Sequence, residues 1–205
     1  HCKLDSYTNY PKYLYECYLC TKYKHVDFTD LNLNNTILRA IEEVGYVSPT
    51  PIQEEAFPVV MSGKDMIGVA QTGTGKTWAY LLPLVRMYTY TKSMHPSMLV
   101  LVPTRELALQ VAEEAEKLAE FSNLRVGAFY GGTNINTQKE KAFQGLDLVI
   151  ATPGRLYDLG RTGALRLKQI KKLVIDEVDE MMNLGFRTQL NAIFELLPEK
   201  RQNIM

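Results

Sequence analysis

Two short segments of this chain carry the residue types that phosphate chemistry needs. The first is Ala70-Gln71-Thr72-Gly73-Thr74-Gly75-Lys76-Thr77. Glycine at 73 and 75 lets the backbone turn tightly, so that successive N–H groups converge on phosphate oxygens. Lys76 brings a point charge to the β- and γ-phosphates. The Thr77 hydroxyl is a magnesium ligand at the start of a helix whose positive end also favours an anion. The first glycine of the pattern G-x-x-x-x-G-K-[ST] is replaced by Ala70. The second segment, Val174-Ile175-Asp176-Glu177-Val178-Asp179, comes much later in the chain. Transfer of a phosphoryl group to water needs a carboxylate that holds Mg²⁺, here Asp176, and a neighbour that activates the water, here Glu177. Lys76, Asp176 and Glu177 are therefore the candidate catalytic residues.

These residues need strands to deliver them. Apolar runs are predicted as strands at 65–70, 98–102, 125–130, 146–151 and 172–175. Leu99-Val-Leu-Val102 and Leu148-Val-Ile150 are continuous rather than alternating, as in strands buried on both faces of a parallel sheet. Between strands, Leu107, Val111, Ala115 and Leu118 form a helical stripe that should face the sheet. A helix is expected from Asn34 to Val44, stopped by Gly45, and another from Thr50 as N-cap with Pro51 at the first helical position. The strands are followed by Gln71-Thr-Gly-Thr-Gly-Lys76, Pro103-Thr104-Arg105, Gly131-Gly132, Thr152-Pro153-Gly154-Arg155 and Asp176-Glu177. Ligands of an open α/β sheet bind outside the carboxyl ends of its strands, so one edge should carry all of this chemistry.

Composition narrows the setting. Lys+Arg and Asp+Glu each total 23, leaving no net charge and no bulk field to attract nucleic acid. Any such binding must rest on local contacts. No apolar run approaches membrane-spanning length, and no signal-peptide pattern opens the chain. The odd count of 3 cysteines, all at or before Cys20, argues against a disulfide framework. The expectation is a soluble, cytoplasmic domain with no membrane partner. Residues 1–25 read as a disordered or non-native leader; the absence of methionine before Met61 makes Val26 a candidate start. Cys17 and Cys20 have metal-ligand spacing, with Cys2, His1 or His25 as further ligands, but a zinc site normally needs four well-spaced ligands.

The motifs together resemble the first RecA-like domain of DEAD-box RNA helicases, from Phe28 to Met205. The resemblance implies an α/β, RecA-like P-loop domain: a mostly parallel central sheet with helices on both faces. It divides the chain into a Q-motif region at 26–54 and an ATP-binding body at 55–205. Gly45-Tyr-Val-Ser-Pro-Thr50-Pro-Ile-Gln53, with Phe28 upstream, resembles the Q motif that reads adenine. A Gln53 amide both donates and accepts, which suits the adenine edge, and Phe28 offers a stacking face. The implied nucleotide set is Phe28, Gln53, Ala70, Gln71, Thr72, Gly73, Thr74, Gly75, Lys76, Thr77 and Asp176. Thr77 and Asp176 would hold Mg²⁺, directly or through water. The cofactors are then ATP and Mg²⁺.

Pro103, Thr104, Arg105, Gly131, Gly132, Thr152, Pro153, Gly154 and Arg155 resemble the segments that grip an RNA backbone. Helix N-termini and glycine turns present bare N–H groups to phosphates, and such contacts carry no base information. Arg105 paired with Glu106, and glycines serving only as turn caps, is the alternative reading of these residues. Asp179 would couple the site to a motif absent from this chain. Two departures stand out. Val178 replaces the alanine of Asp-Glu-Ala-Asp, and the chain stops ahead of the Ser-Ala-Thr motif and of a second RecA-like domain. The implied function is the ATP-binding half of an ATP-dependent RNA helicase. An ATP-gated RNA clamp or scaffold, and a DNA-directed helicase or translocase, are the alternatives.

Overall fold

A computed structural model describes residues 26–205 of the chain. The expected leader at 1–25, including the Cys17/Cys20 metal alternative, lies outside the described residues. A 3-10 turn at Phe28–Leu31 leads into helices α1 (Asn35–Val44) and α2 (Pro51–Met61). Asn34 caps α1 by accepting from the Ile37 N–H at 3.0 Å, and Gly45 ends it in the left-handed region at φ 82°. Helix and strand then alternate: α3 (Lys76–Met87), β1 (Met98–Leu101), α4 (Arg105–Ala119), β2 (Val126–Phe129) and α5 (Ile135–Phe143). The chain continues with β3 (Leu148–Ala151), α6 (Pro153–Arg161), β4 (Lys172–Ile175), α7 (Val178–Asn183), α8 (Arg187–Leu196) and β5 (Gln202–Ile204).

The strands form one sheet in the order β2-β3-β1-β4-β5, and every pairing among the described residues is parallel. Alternation along each strand divides the core in two. Met98 and Val100 of β1 pack with α1–α4 on one face, together with Ile37, Val60, Leu84 and Val111. Leu99 and Leu101 pack with α5–α8 on the other, together with Ala142, Leu159, Met181 and Ile193. The expected helices on both faces are present. On α4 the buried stripe is Ala108, Val111, Ala115 and Leu118, while Leu107 is only half-buried. No helix among the described residues is long and apolar enough to cross a membrane.

The strand expected at 65–70 is reduced to a single bridge, Met66 to Ile204. The Met66 N–H donates to the Asn203 carbonyl at 3.0 Å, and the Met205 N–H donates to the Met66 carbonyl at 2.9 Å. The Gly68 N–H also donates to the Met205 carbonyl, at 2.6 Å. Ile67 and Val69 point away from the core, 78% and 93% exposed. The run still lies beside β5, which therefore separates it from β4.

At the amino edge of the sheet, Arg125 and Asp147 fix the starts of β2 and β3. Asp147 is 3% exposed and accepts from Arg125 Nε and Nη2, each at 2.9 Å, and from the Arg125 backbone N–H at 3.0 Å. Burial pushes the Asp147 carboxyl up, but the Arg125 hydrogen bonds and charge outweigh it and hold the group below its ordinary value. A depressed carboxyl contributes stability above the ordinary value of 3.8 and loses it as pH falls through the native value. We expect Asp147→Asn to destabilise the fold by about 1.5–3 kcal/mol at neutral pH, the scale of hydrogen bonds to charged groups. The gap to wild type should close below pH 3.8. Denaturant melts at several pH values check this, and a gap that persists unchanged into acid would refute the charge-based account.

Candidate nucleotide site

The loop between Met66 and α3 is shaped by two glycines with different duties. Gly73 sits at φ 80° with open space where a Cβ would be, so only its backbone conformation requires glycine. Gly75 sits at φ 90°, and a Cβ there would lie 2.6 Å from Gln53 Nε2 and 3.0 Å from Thr50 Oγ1. Conformation and space both exclude a side chain at Gly75. Thr74 Oγ1 donates to the Gln71 carbonyl at 2.8 Å and closes the loop on itself. Lys76 and Thr77 then open α3, whose unpaired first N–H groups favour an anion.

The acidic segment arrives from β4. The Asp176 N–H donates to the Leu101 carbonyl at 2.9 Å, one rung past the last paired residues. Glu177 adopts the left-handed region at φ 52° without being glycine, as N-cap of α7. A non-glycine residue held there stores on the order of 1 kcal/mol or more, and such strain clusters at functional sites. Burial, together with the charge of Asp176, pushes the Glu177 carboxyl above its ordinary value, and Lys76 opposes the shift. A cavity of about 380 Å³ collects Ala70, Lys76, Tyr80, Asp176, Glu177 and Asp179. The two segments thus meet at one site.

Tyr80 was not singled out by sequence pattern, because it reads as one more apolar position on α3. Its hydroxyl donates to Asp176 Oδ2 at 2.9 Å. Burial, then the Asp176 charge, pushes this phenol well above its ordinary 10.0, so it stays a donor. The signal available in sequence was helical spacing, which places Tyr80 on the same face as Thr77.

The oxygen donors present suit Mg²⁺, which keeps several waters and takes only one or two protein ligands beside substrate phosphates. Asp176 offers its remaining carboxylate oxygen and Thr77 its hydroxyl. Among the described residues no group of three or more His, Cys, Asp or Glu side chains could hold a metal without such phosphates.

Gln53 and Phe28 are placed differently from expectation. Gln53 is 4% exposed; its Oε1 accepts from the Thr50 N–H at 3.0 Å and its Nε2 donates to the Gly75 carbonyl at 3.1 Å. Both ends of the amide are committed inside the protein. Phe28 is 3% exposed within the core, so its ring has no free face here. The physical reason is packing: the 3-10 turn and α2 close over α3 and leave the amide to satisfy the loop. The half-exposed aromatic of this region is Tyr46, edge-on to Trp78 with ring centres 4.6 Å apart.

Three further turns follow β1, β2 and β3 at the same edge. Thr104 caps α4, accepting from the Leu107 N–H at 3.2 Å, and Pro103 behind it is buried. Arg105 is exposed and lies over the Tyr130 ring at 5.0 Å, with no ion pair to Glu106. Gly131 and Gly132 are exposed beside it. Thr152 and Pro153 are buried at the start of α6, with Gly154 half-buried. Arg155 Nη2 donates to the Thr133 carbonyl at 2.9 Å, while its buried Nη1 has no partner. Gln138, unmarked by any sequence pattern, donates from Nε2 to Thr133 Oγ1 at 2.7 Å and to the Tyr130 carbonyl at 3.2 Å. The turns after β2 and β3 are thereby tied together. Asp179 is exposed on α7.

A sequence model of the DEAD/DEAH box helicase family matches residues 50–205. The chain belongs to the DEAD/DEAH box helicase family. It is 43% identical over 178 residues to the DEAD-box ATP-dependent RNA helicase CshA of Streptococcus pneumoniae, covering 87% of this chain and 34% of that protein. It is 41% identical over 184 residues to the ATP-dependent RNA helicase DRS1 of Candida albicans, covering 88% of this chain and 30% of that one. A crystal structure of a DEAD box protein from the hyperthermophile Methanococcus jannaschii superposes with a TM-score of 0.81 at 35% identity, covering 87% of this chain and 48% of the other. The chain spans about a third of the length of these curated DEAD-box relatives.

Gln53→Ala should leave the Gly75 carbonyl without its side-chain donor and loosen the loop. We expect a loss of about 1–1.5 kcal/mol, or about tenfold in ATP affinity. Calorimetric titration with ATP checks it, and undiminished affinity would mean that Gln53 serves α2 alone.

Proposed function

We propose that this chain is the ATP-binding RecA-like domain of an ATP-dependent RNA helicase that couples ATP hydrolysis to RNA binding and local strand separation. The observation that carries the reading is the single sheet edge on which a glycine-rich loop with Lys76, two adjacent carboxylates and the three turns after β1, β2 and β3 converge. The names of the most similar relatives support RNA rather than DNA as the nucleic-acid partner. In this reading 26–54 forms the Q-motif region, 55–205 the ATP-binding body, and a second RecA-like domain completes both the ATP and the RNA sites.

Each residue then has a task. The loop amides of 71–75 and the Lys76 ammonium hold the β- and γ-phosphates. Asp176 and Thr77 hold Mg²⁺, which neutralises charge on the phosphate oxygens when bound. Glu177 orients a water in line with the γ-phosphate and takes its proton as the new P–O bond forms and ADP leaves. Arg105, Arg155 and the free N–H groups at the starts of α4 and α6 hold RNA phosphates. Asp179 couples the site to the second domain.

In the intact protein, Lys76→Ala should abolish hydrolysis and weaken ATP binding without lowering the unfolding temperature, because Lys76 faces the cavity and not the core. Near wild-type turnover in that variant would sink the assignment. Glu177→Gln should slow hydrolysis by about 10²–10⁴ while retaining ATP, since an amide keeps the shape but cannot take the proton. Equal loss of binding would make Glu177 a ligand instead. The base form is the ionised one, so hydrolysis should fall as Glu177 is protonated in acid, and a pH–rate profile with no acid limb would remove Glu177 from the role of base.

A further inference from the structure

Asp176 receives one side-chain hydrogen bond among the described residues, and it comes from Tyr80. The donor lies on α3 and the acceptor at the end of β4, 96 residues apart in the chain. Tyr80 is 5% exposed and anchored in the core among Leu81, Leu84 and Val174, so its ring cannot swing away. It is also three residues beyond Thr77 and four beyond Lys76, on the helix face that these two present to the phosphates. Rigid body, polar tip and placement beside both metal-ligand candidates occur in one residue.

The terminal torsion of an aspartate is broad and nearly two-fold, so its two oxygens are interchangeable unless something distinguishes them. A donor held at 2.9 Å from Oδ2 makes that distinction and leaves Oδ1 as the uncommitted oxygen of a carboxylate that lines the cavity. Groups behind a ligating carboxylate orient it and tune its basicity. We propose that Tyr80 is a positioning residue for Mg²⁺ bound with ATP: its hydroxyl fixes which oxygen of Asp176 faces the metal. The inference rests on the nucleotide site proposed above and assigns no contact between Tyr80 and ATP itself.

The competing explanation is that the hydroxyl merely finds an acceptor for a buried phenol. The two explanations separate on metal dependence. Removing an outer-shell partner typically costs about 10–100-fold in metal affinity or activity. In the intact protein, Tyr80→Phe should raise the Mg²⁺ concentration needed for half-maximal hydrolysis by about tenfold or more. Calorimetry should show unchanged affinity for metal-free ATP in EDTA and a reduced gain on adding Mg²⁺. The unfolding temperature should stay close to wild type, because water at the cavity edge can satisfy Oδ2. An Asp176→Asn background guards against a trivial folding effect: Tyr80→Phe should then add no further loss of the Mg²⁺ gain. A Mg²⁺ requirement unchanged by Tyr80→Phe, or a loss of equal size in the Asp176→Asn background, would overturn the proposal. A wild-type protein whose ATP binding and hydrolysis ignore Mg²⁺ would overturn the site reading and the proposal together.

Discussion

Parallel register is the constraint on which the site depends. Leu101 stands opposite both Ala151 and Ile175, and Ala151 stands opposite Phe129, so four adjacent strands end at one level. Each strand then releases its chain into a turn on the same side. Reversing any one strand would carry its turn to the far edge. The sheet holds this register because both faces are covered, with Leu99 and Leu101 committed to one core and Met98 and Val100 to the other. Slipping a strand by one residue would exchange the two sets and misplace every apolar side chain.

Within that frame, the chemistry is concentrated where backbone and side chain are most constrained. Gly75 needs a conformation and a space that only glycine supplies, and the space is filled by Gln53. Glu177 holds a left-handed backbone immediately after Asp176, which turns the chain from β4 into α7 and separates two neighbouring carboxylates. Burial, then the charge of Asp176, raises the second of these while Lys76 restrains it. The same edge carries the turns beyond β1, β2 and β3; Arg155 binds the last two of these to each other at the Thr133 carbonyl, and Gln138 holds Thr133 by its hydroxyl.

Much of this was legible without coordinates. Strand cores were visible as continuous apolar runs, the stop at Gly45 and the helix start at Thr50-Pro51 as local chemistry, and the phosphate loop and acidic pair as spacing. Each of these signals is short-range: a residue and its near neighbours on the chain carry the whole cause. The strand expected at 65–70 failed for the complementary reason. Its apolar pattern does not show which strand it pairs with, and beside β5 it makes one bridge, Met66 to Ile204.

What the tertiary structure alone decided are the long-range pairings. The Thr50-x-x-Gln53 spacing is a local capping pair, with Gln53 Oε1 accepting from the Thr50 N–H; packing decided that its Nε2 is spent on the Gly75 carbonyl and not left open. Sequence marked Phe28 as an isolated aromatic, and closure of the first turn over the core buried it. Tyr80 carried no mark at all, since an apolar-flanked tyrosine is common; its partner Asp176 is set by which helix lies over which strand end. Local patterns follow from covalent neighbours, whereas a hydrogen bond across 96 residues follows from the register of a sheet and the covering of its faces.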